Sequence, residues 1–363
     1  MKILEIIPNL HGGGAENFIV SLSNEMAKNK NVELTILTLY TSDANNDILI
    51  QKLSPKIRRI SLNKQKGFDV SLFFDIYKII KENKFDIAHF HVNAIPYCFV
   101  SSLLYRKCKY FATIHSDAYK EAQGVHRLIR RFMFVLGFAD AITISDDSYR
   151  SFHEVYRCKA NIIYNGVASY DKTEDINLQK YKRTPDTKIF VNVASVQRLK
   201  NQVSMARVFN RLSDEGEDVK LLLVGRFCDS HQEYANELKT VLSENVLFLG
   251  ENSNPRDYMA KADYFILASH YEGLPITLLE SISVGCIPVV TAVGGNINVV
   301  EDGYNGYIIK TPDEEAIYST IKRIIKIGDK NKEDIKKHVL ESSLKYTIEE
   351  CAERHLNLFE SKL

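Results

Sequence analysis

Short apolar runs recur along the 363-residue chain, separated by longer stretches with helical periodicity. In the first half the runs are KILEIIP, VELTILTLY, IRRISL, IAHFHV, YFATIHS, AITIS and NIIYN. In the second half they are IFVNVAS, VKLLLVG, VLFLG, YFILAS, IPVVT and YIIK. Near-continuous apolar runs of this length predict strands buried on both faces, as in parallel sheets. Amphipathic stretches at 16–29 and 70–83 predict helices between them. Two such series in succession predict two doubly wound α/β domains. The polar, charged stretch 167–188 breaks the series. The expected organisation is a first domain over 1–168, a linker over 169–187, a second domain over 188–346 and a terminal amphipathic helix over 347–363.

Composition narrows the function classes. Charged residues make up 26% and apolar residues 45%, a soluble globular mix. The formal net charge of +1 gives no bulk attraction for nucleic acid. It is unevenly spread: residues 1–165 carry 22 Lys and Arg against 16 Asp and Glu, and the remainder is acidic. A basic first half favours an anionic surface or substrate there. The six cysteines form no C-x-x-C pair, which disfavours structural zinc and suits a reducing compartment. MKILEIIPNL runs into a glycine turn, unlike a signal peptide, and no apolar run reaches the ~20 residues of a membrane span. These features place the protein in the cytoplasm.

Ligands of doubly wound sheets bind beyond the carboxyl ends of the strands, so candidate chemistry is sought there. After the first strand, Gly12, Gly13 and Gly14 precede Glu16. Glycines in that place let a phosphate approach backbone N–H groups. Asn17 stands where a dinucleotide fingerprint needs its third glycine, and the second strand ends without an acid, so a nicotinamide enzyme is disfavoured. His115 sits at a strand tip. His89 and His91 alternate with apolar neighbours, and one of them is expected to line the cleft or core. With no third ligand of suitable spacing visible, no metal is expected. Arg198 and Lys200 follow a strand of the second half. Cations are needed because a helix end gives an anion only ~0.3–1 kcal/mol, up to ~2 when partly buried, whereas micromolar binding takes about 8 kcal/mol.

HYEGLPITLLES (270–281) carries the most specific pattern. Glu272 precedes a Gly-Leu-Pro turn, and Glu280 follows with seven residues between them. Pro275 suits a first helical turn, where its missing N–H is not needed. N–H groups of Ile276 and Thr277 then face an anion. Glu272 is expected to accept hydrogen bonds from sugar hydroxyls on one side of that anion. Glu280, one turn deeper, is expected to grip a second diol such as a ribose.

EGLPITLLE, with GGGAE, TIHS, ITISDDS, YNGV, LLVGR, VLFLG, ADYFILAS, VGCIPVVT and the later VGG and EDGYNGY, resembles the retaining glycosyltransferases of family 4 over almost the whole chain. The resemblance implies the GT-B fold, two Rossmann-like domains facing a central cleft, with the acceptor on the first and the nucleotide sugar on the second. It implies that Gly13 and Gly14 lie against the donor, that His115 sits beside the reacting sugar and that Arg198 and Lys200 clamp the diphosphate. It further implies that Glu272 binds the transferred sugar and Glu280 the ribose, with Gly273, Leu274, Ile276 and Thr277 lining the same site. Loops at Gly225–Arg226 and 250–252 would flank the base, and the terminal helix would return to the first domain. Two positions depart from the family pattern. Ser195 stands where an Arg is usual, and Asn298 replaces an acid after the VGG.

The resemblance implies a metal-independent hexosyltransferase without a cofactor. It would move a hexose or N-acetylhexosamine from a nucleotide diphosphate sugar, UDP-linked by family habit, to a glycan or lipid-linked glycan in capsule, lipopolysaccharide or exopolysaccharide synthesis. A silent nucleotide-sugar-binding protein and a sugar-nucleotide epimerase are the alternatives. Residues 126–141 put Arg127, Arg130 and Arg131 among apolar neighbours. That segment suits either a core helix with a solvated edge or peripheral contact with an anionic membrane on its inner face.

Overall fold

The computed structural model describes residues 1–40, 48–65, 67, 69–172, 174–252 and 254–363. Two compact units emerge. Met1–Ala168 with Tyr346–Leu363 form the first, and Ser169–Lys345 form the second. The stretch 169–187, expected as a linker, is part of the second unit. There Tyr170 donates its hydroxyl to Asp257 at 2.6 Å, and the Glu174 N–H reaches the same carboxylate at 3.0 Å.

The first unit holds β1 (Lys2–Ile7), β2 (Glu33–Tyr40), β3 (Arg58–Lys64), β4 (Ile87–His91), β5 (Lys109–Ile114), β6 (Asp140–Thr143) and β7 (Asn161–Ile162). They form one sheet in the order β3-β2-β1-β4-β5-β6-β7, all parallel. The second unit holds β8 (Lys188–Val193), β9 (Val219–Val224), β10 (Val246–Gly250), β11 (Tyr264–Leu267), β12 (Ile287–Thr291) and β13 (Tyr307–Ile309). Their order is β10-β9-β8-β11-β12-β13, again parallel. The strands fall on the apolar runs; the inner ones are apolar at nearly every position, as parallel strands covered on both faces must be, whereas the edge strand β3 is half-buried or exposed along its length. In both sheets the order reverses beside the first strand, at β1/β4 and at β8/β11. Loops leaving those strands in opposite directions open a crevice at their carboxyl ends, which fixes where a ligand can reach the sheet.

In the first unit, helix Gly14–Met26 buries Phe18, Ile19, Leu22 and Met26, spaced to share one face. The terminal helix Ile348–Glu360 packs beside it, burying Cys351, Ala352, His355 and Phe359. Thr347 caps that helix by accepting the Glu350 N–H. Backbone bonds Val167 N–H to Tyr346 O at 2.9 Å and Ile348 N–H to Val167 O at 3.0 Å tie its start down.

The helix over Gly124–Val135 keeps part of the expected arginine edge, with Arg131 exposed and Arg127 half-buried, but turns Arg130 inward. Arg130 is buried, donating to Glu121 Oε1 at 3.1 Å and to Val92 O at 2.8 Å. Arg127 donates to Ala122 O and Tyr119 O, and Arg131 to Val155 O. Each guanidinium satisfies backbone carbonyls of neighbouring segments. Beside Arg131, the helix also exposes an apolar stripe: Val125, Leu128, Phe132, Val135 and Leu136. Among the described residues, no helix is long and apolar enough to cross a membrane.

Candidate active site

In the second unit the loops leaving β8 and β11 bring a cation to a carboxylate. The turn Arg198–Lys200 ends at Asn201, whose left-handed backbone (φ 60°) is held by its own amide donating to Ala268 O at 3.2 Å and Pro312 O at 2.7 Å. His270 N–H donates to Leu199 O at 2.9 Å, joining the two loops. Lys200 Nζ then lies 2.6 Å from Glu272 Oε1, with side chains 18% and 8% exposed. Ser269 Oγ donates to the same oxygen at 2.6 Å. A half-buried cation and a buried acid, each still reachable, can hold a phosphate and a sugar hydroxyl side by side.

Arg198 does not join them. Its guanidinium is 69% exposed, 3.4 Å from Glu237 and over the Tyr234 ring. Ser195, in the place of the usual arginine, accepts from Gln197 Nε2 at 3.0 Å. The cation gathered at Glu272 is therefore Lys200.

Glu272 is aimed by backbone packing. Gly295 N–H donates to Gly273 O at 2.5 Å. A Cβ on Gly294 (φ +52°) would fall 1.9 Å from Glu272 O, so only glycine fits there. Leu274 is buried. Pro275 is the cap of helix Ile276–Ser283 rather than its first residue, because its ψ of 125° is extended. Its carbonyl accepts from Leu278 and Leu279 at 3.1 and 3.3 Å. A helix starting at Ile276 leaves the N–H groups of Ile276 and Thr277 outside the intrahelical ladder. Glu280 lies within the same helix, half-buried. Gly225 follows β9 with its would-be Cβ 1.9 Å from Ala194 O, so the backbones leaving β8 and β9 touch.

In the first unit, Gly12 takes a left-handed backbone (φ 88°) and Gly13 caps the helix that opens at Gly14. Asn17, where the fingerprint glycine would stand, donates its side-chain amide back to Gly13 O at 2.9 Å. Nothing lies within 4 Å of a Cβ built on Gly14, whereas one on Gly13 would meet the Glu16 carboxylate at 2.3 Å. Phe18, one turn on, sets its ring centroid 6.0 Å from that of the His115 imidazole, the two planes 70° apart. The glycine turn and the β5 tip thus share one end of the sheet.

Sequence reasoning missed what lies behind His115. Both His89 and His91 are buried, and Glu5 supplies the third group that the spacing did not reveal. Glu5 pairs in register with His89, and His91 with Thr113, so all four face the same side of the sheet. Glu5 Oε2 lies 3.0 Å from His89 Nδ1 and 2.7 Å from His91 Nε2. His89 Nε2 meets Thr113 Oγ1 at 2.7 Å, and His91 Nδ1 meets His115 Nε2 at 3.0 Å. Burial pushes the Glu5 carboxyl up, but the charge that His89 and His91 take on in acid, with their hydrogen bonds, outweighs it and holds it well below the usual range. Burial, with His89 beside it, lowers His91 to about 4 despite its bond to Glu5. Burial, with His91 and His89 beside it, lowers His115 well below its ordinary value. One carboxylate and two imidazoles with ligand atoms within 4.8 Å are the chemistry of a zinc site. Each of those three side chains is nevertheless already hydrogen-bonded to its neighbours. The available signal was an acid inside the apolar KILEIIP run: a carboxylate buried in a central strand demands partners.

Residues 12–169 match the family model described as Glycosyltransferase Family 4, and residues 173–339 match Glycosyl transferases group 1. The chain belongs to glycosyltransferase family 4. Among relatives of this glycosyltransferase, N-acetyl-alpha-D-glucosaminyl L-malate synthase of Bacillus anthracis is 25% identical over 283 residues, covering 74% of this chain and 73% of that protein. The GalNAc-alpha-(1->4)-GalNAc-alpha-(1->3)-diNAcBac-PP-undecaprenol alpha-1,4-N-acetyl-D-galactosaminyltransferase of Campylobacter jejuni is 22% identical over 349 residues, or 94% and 92% of the two chains. The fold matches that of Anabaena HepE in complex with UDP-glucose with a TM-score of 0.78 at 19% identity, over 99% and 100% of the chains. The fold of this family 4 glycosyltransferase is thus GT-B.

Proposed function

We propose that this glycosyltransferase moves a hexose or N-acetylhexosamine from a UDP-linked donor to a hydroxyl of a glycan or lipid-linked glycan, with retention. The observation that carries the reading is the Lys200–Glu272 pair at 2.6 Å, set before a helix start with open N–H groups. In this reading Lys200 and the N–H groups of Ile276 and Thr277 meet the diphosphate and stabilise it as it leaves. That positive field needs no metal and no cofactor. Glu272 accepts from hydroxyls of the transferred sugar, Glu280 from the ribose, and the loops at Gly225 and Gly273 flank the nucleotide. Gly13, Gly14 and His115 are read as the first unit's share of donor contact. The acceptor attacks from the face the nucleotide leaves. Support for a UDP-sugar comes from the HepE complex, and support for a lipid-linked acceptor in envelope polysaccharide synthesis from the Campylobacter relative.

A thermal-shift panel of nucleotide sugars, followed by turnover and NMR of the product, tests the reading. One UDP-sugar is expected to stabilise the protein and to be consumed, with the anomeric configuration kept. An inverted linkage overturns retention, and binding without turnover would make the protein a silent binder. Glu280→Gln should weaken UDP binding about tenfold, the order of one charge-assisted hydrogen bond.

Location at the cytoplasmic membrane face is proposed on the exposed stripe Val125, Leu128, Phe132, Val135 and Leu136. Five apolar side chains on one helix face suit shallow insertion among lipid headgroups. Vesicle sedimentation checks this. Wild type should pellet with vesicles, and Leu128→Glu with Phe132→Glu should stay in the supernatant; equal partition of both sinks it.

A further inference from the structure

The buried groups Glu5, His89, His91 and Thr113 lie in a continuous chain of hydrogen bonds that ends at His115, and their chemistry fixes the direction of every proton in it. An ionised carboxylate only accepts. Glu5 therefore takes N–H bonds from His89 Nδ1 and from His91 Nε2, at 3.0 and 2.7 Å. A neutral His91 protonated on Nε2 carries a lone pair on Nδ1. That lone pair, 3.0 Å from His115 Nε2, accepts a proton from it. His115 is then left with an unprotonated Nδ1, which has no hydrogen-bond partner among the described residues.

We propose that Glu5 and His91 are positioning residues that lock His115 as its Nε2–H tautomer and present its Nδ1 as a hydrogen-bond acceptor for a donor-sugar hydroxyl. The role at the sugar rests on the reading of His115 given above; the tautomer does not. The surroundings favour neutral rings. Glu5, His89 and His91 are fully buried, and the His115 ring lies 5.3 Å from that of His91. Covering the chain are Phe18 of the first helix and, from the terminal helix, Phe359 and His355. His355 donates Nδ1–H to Cys351 O at 2.8 Å, and its buried Nε2 is unpartnered among the described residues, so it too is neutral. The other charged groups nearby are Glu121 and Arg130, paired at 3.1 Å, with Glu121 also accepting the Ser116 N–H at 3.2 Å. A proton added to His91 Nδ1 would set it donor to donor against His115 Nε2–H. A cation at Glu5, His89 and His91 would have to displace both N–H bonds to the carboxylate.

Long-range nitrogen–proton NMR on the full chain, without donor, reads the tautomer directly. Expected is a His115 ring with pyrrole-type Nε2 and pyridine-type Nδ1, unchanged from about pH 8 to about pH 5.5, where an ordinary histidine is mostly charged. A ring protonated on Nδ1, or charged in that range, overturns the relay without any variant. So does one equivalent of zinc found in the purified protein whose removal by EDTA shifts the His89 and His91 signals. In Glu5→Leu the acceptor for both ring N–H groups is gone, and in His91→Phe the acceptor of the His115 N–H is gone; both should leave His115 a mixture of tautomers. With folding checked by circular dichroism, kcat should fall about 10–100-fold, as for other orienting partners of functional histidines, with donor KM within threefold. An unchanged tautomer in both folded variants overturns the proposal. Turnover surviving His115→Ala overturns the role at the sugar, while the tautomer result stands.

Discussion

Lys200→Met should lower kcat/KM by about 10²–10³-fold, the order found when a preorganised donor to developing negative charge is removed. Lys200 Nζ is the cation gathered beside Glu272 at the mouth of helix Ile276–Ser283, while Arg198 points to Glu237. Arg198→Ala should therefore cost far less, under about fivefold, in line with an exposed ion pair. Glu272→Gln should also reduce turnover, because an amide accepts on one atom only. The pair predicts a signature that neither single change gives. With side chains 18% and 8% exposed, removing Lys200 leaves a buried carboxylate held, among the described residues, by Ser269 alone. Breaking a buried pair costs about 3–5 kcal/mol, and the partial exposure of Lys200 argues for the low end. Lys200→Met with Glu272→Gln removes both charges and should regain most of that stability, yet recover no activity. Urea unfolding and steady-state kinetics on the four proteins measure both couplings. Additive stability losses, or an active double variant, would show that the two side chains do not act as one unit.

The strand pattern was legible because the inner strands of both sheets are covered on both faces and so announce themselves as apolar runs, while the edge strand β3 is exposed or half-buried throughout. Lys200 and Glu272 were legible singly, since each follows a strand tip. Their contact was not: it depends on β8 and β11 being neighbours across the reversal of strand order, which no local pattern encodes. The same gap hid the preference of Arg198 for Glu237, and the inward turn of Arg130, whose partners are Val92 O and Glu121. The Glu5 chain joins residues 84 and 86 positions apart, so the spacing of His89 and His91 alone could not show it. Pro275 was placed one position too deep because proline fixes φ, which cap and first turn share, while ψ separates them.

Gly294→Ala should unfold the Glu272 loop more than any exposed change in the chain. Its Cβ would stand 1.9 Å from Glu272 O, with the backbone at φ +52°. A left-handed residue with a side chain costs roughly 1–2 kcal/mol by itself. Backbone cannot swing aside as a side chain can, so the Glu272–Gly273 segment must move, bringing the loss to about 2–4 kcal/mol. A shift of about 1 Å at a positioned group costs on the order of 10²-fold in rate, so activity should fall with stability. Gly14→Ala is the matched contrast. It opens a helix and has nothing within 4 Å of its would-be Cβ. Thermal unfolding should therefore match wild type or rise slightly, since alanine is the better helix former by about 0.5–1 kcal/mol. Donor KM should nonetheless rise about tenfold if that open space receives the donor, the methyl holding phosphate or sugar off the backbone. Melting curves and donor kinetics on the two variants separate a glycine that shapes the fold from one that leaves room for a ligand. A Gly294→Ala protein that melts like wild type would remove the close approach, and a Gly14→Ala protein with unchanged KM would remove donor contact at the glycine turn.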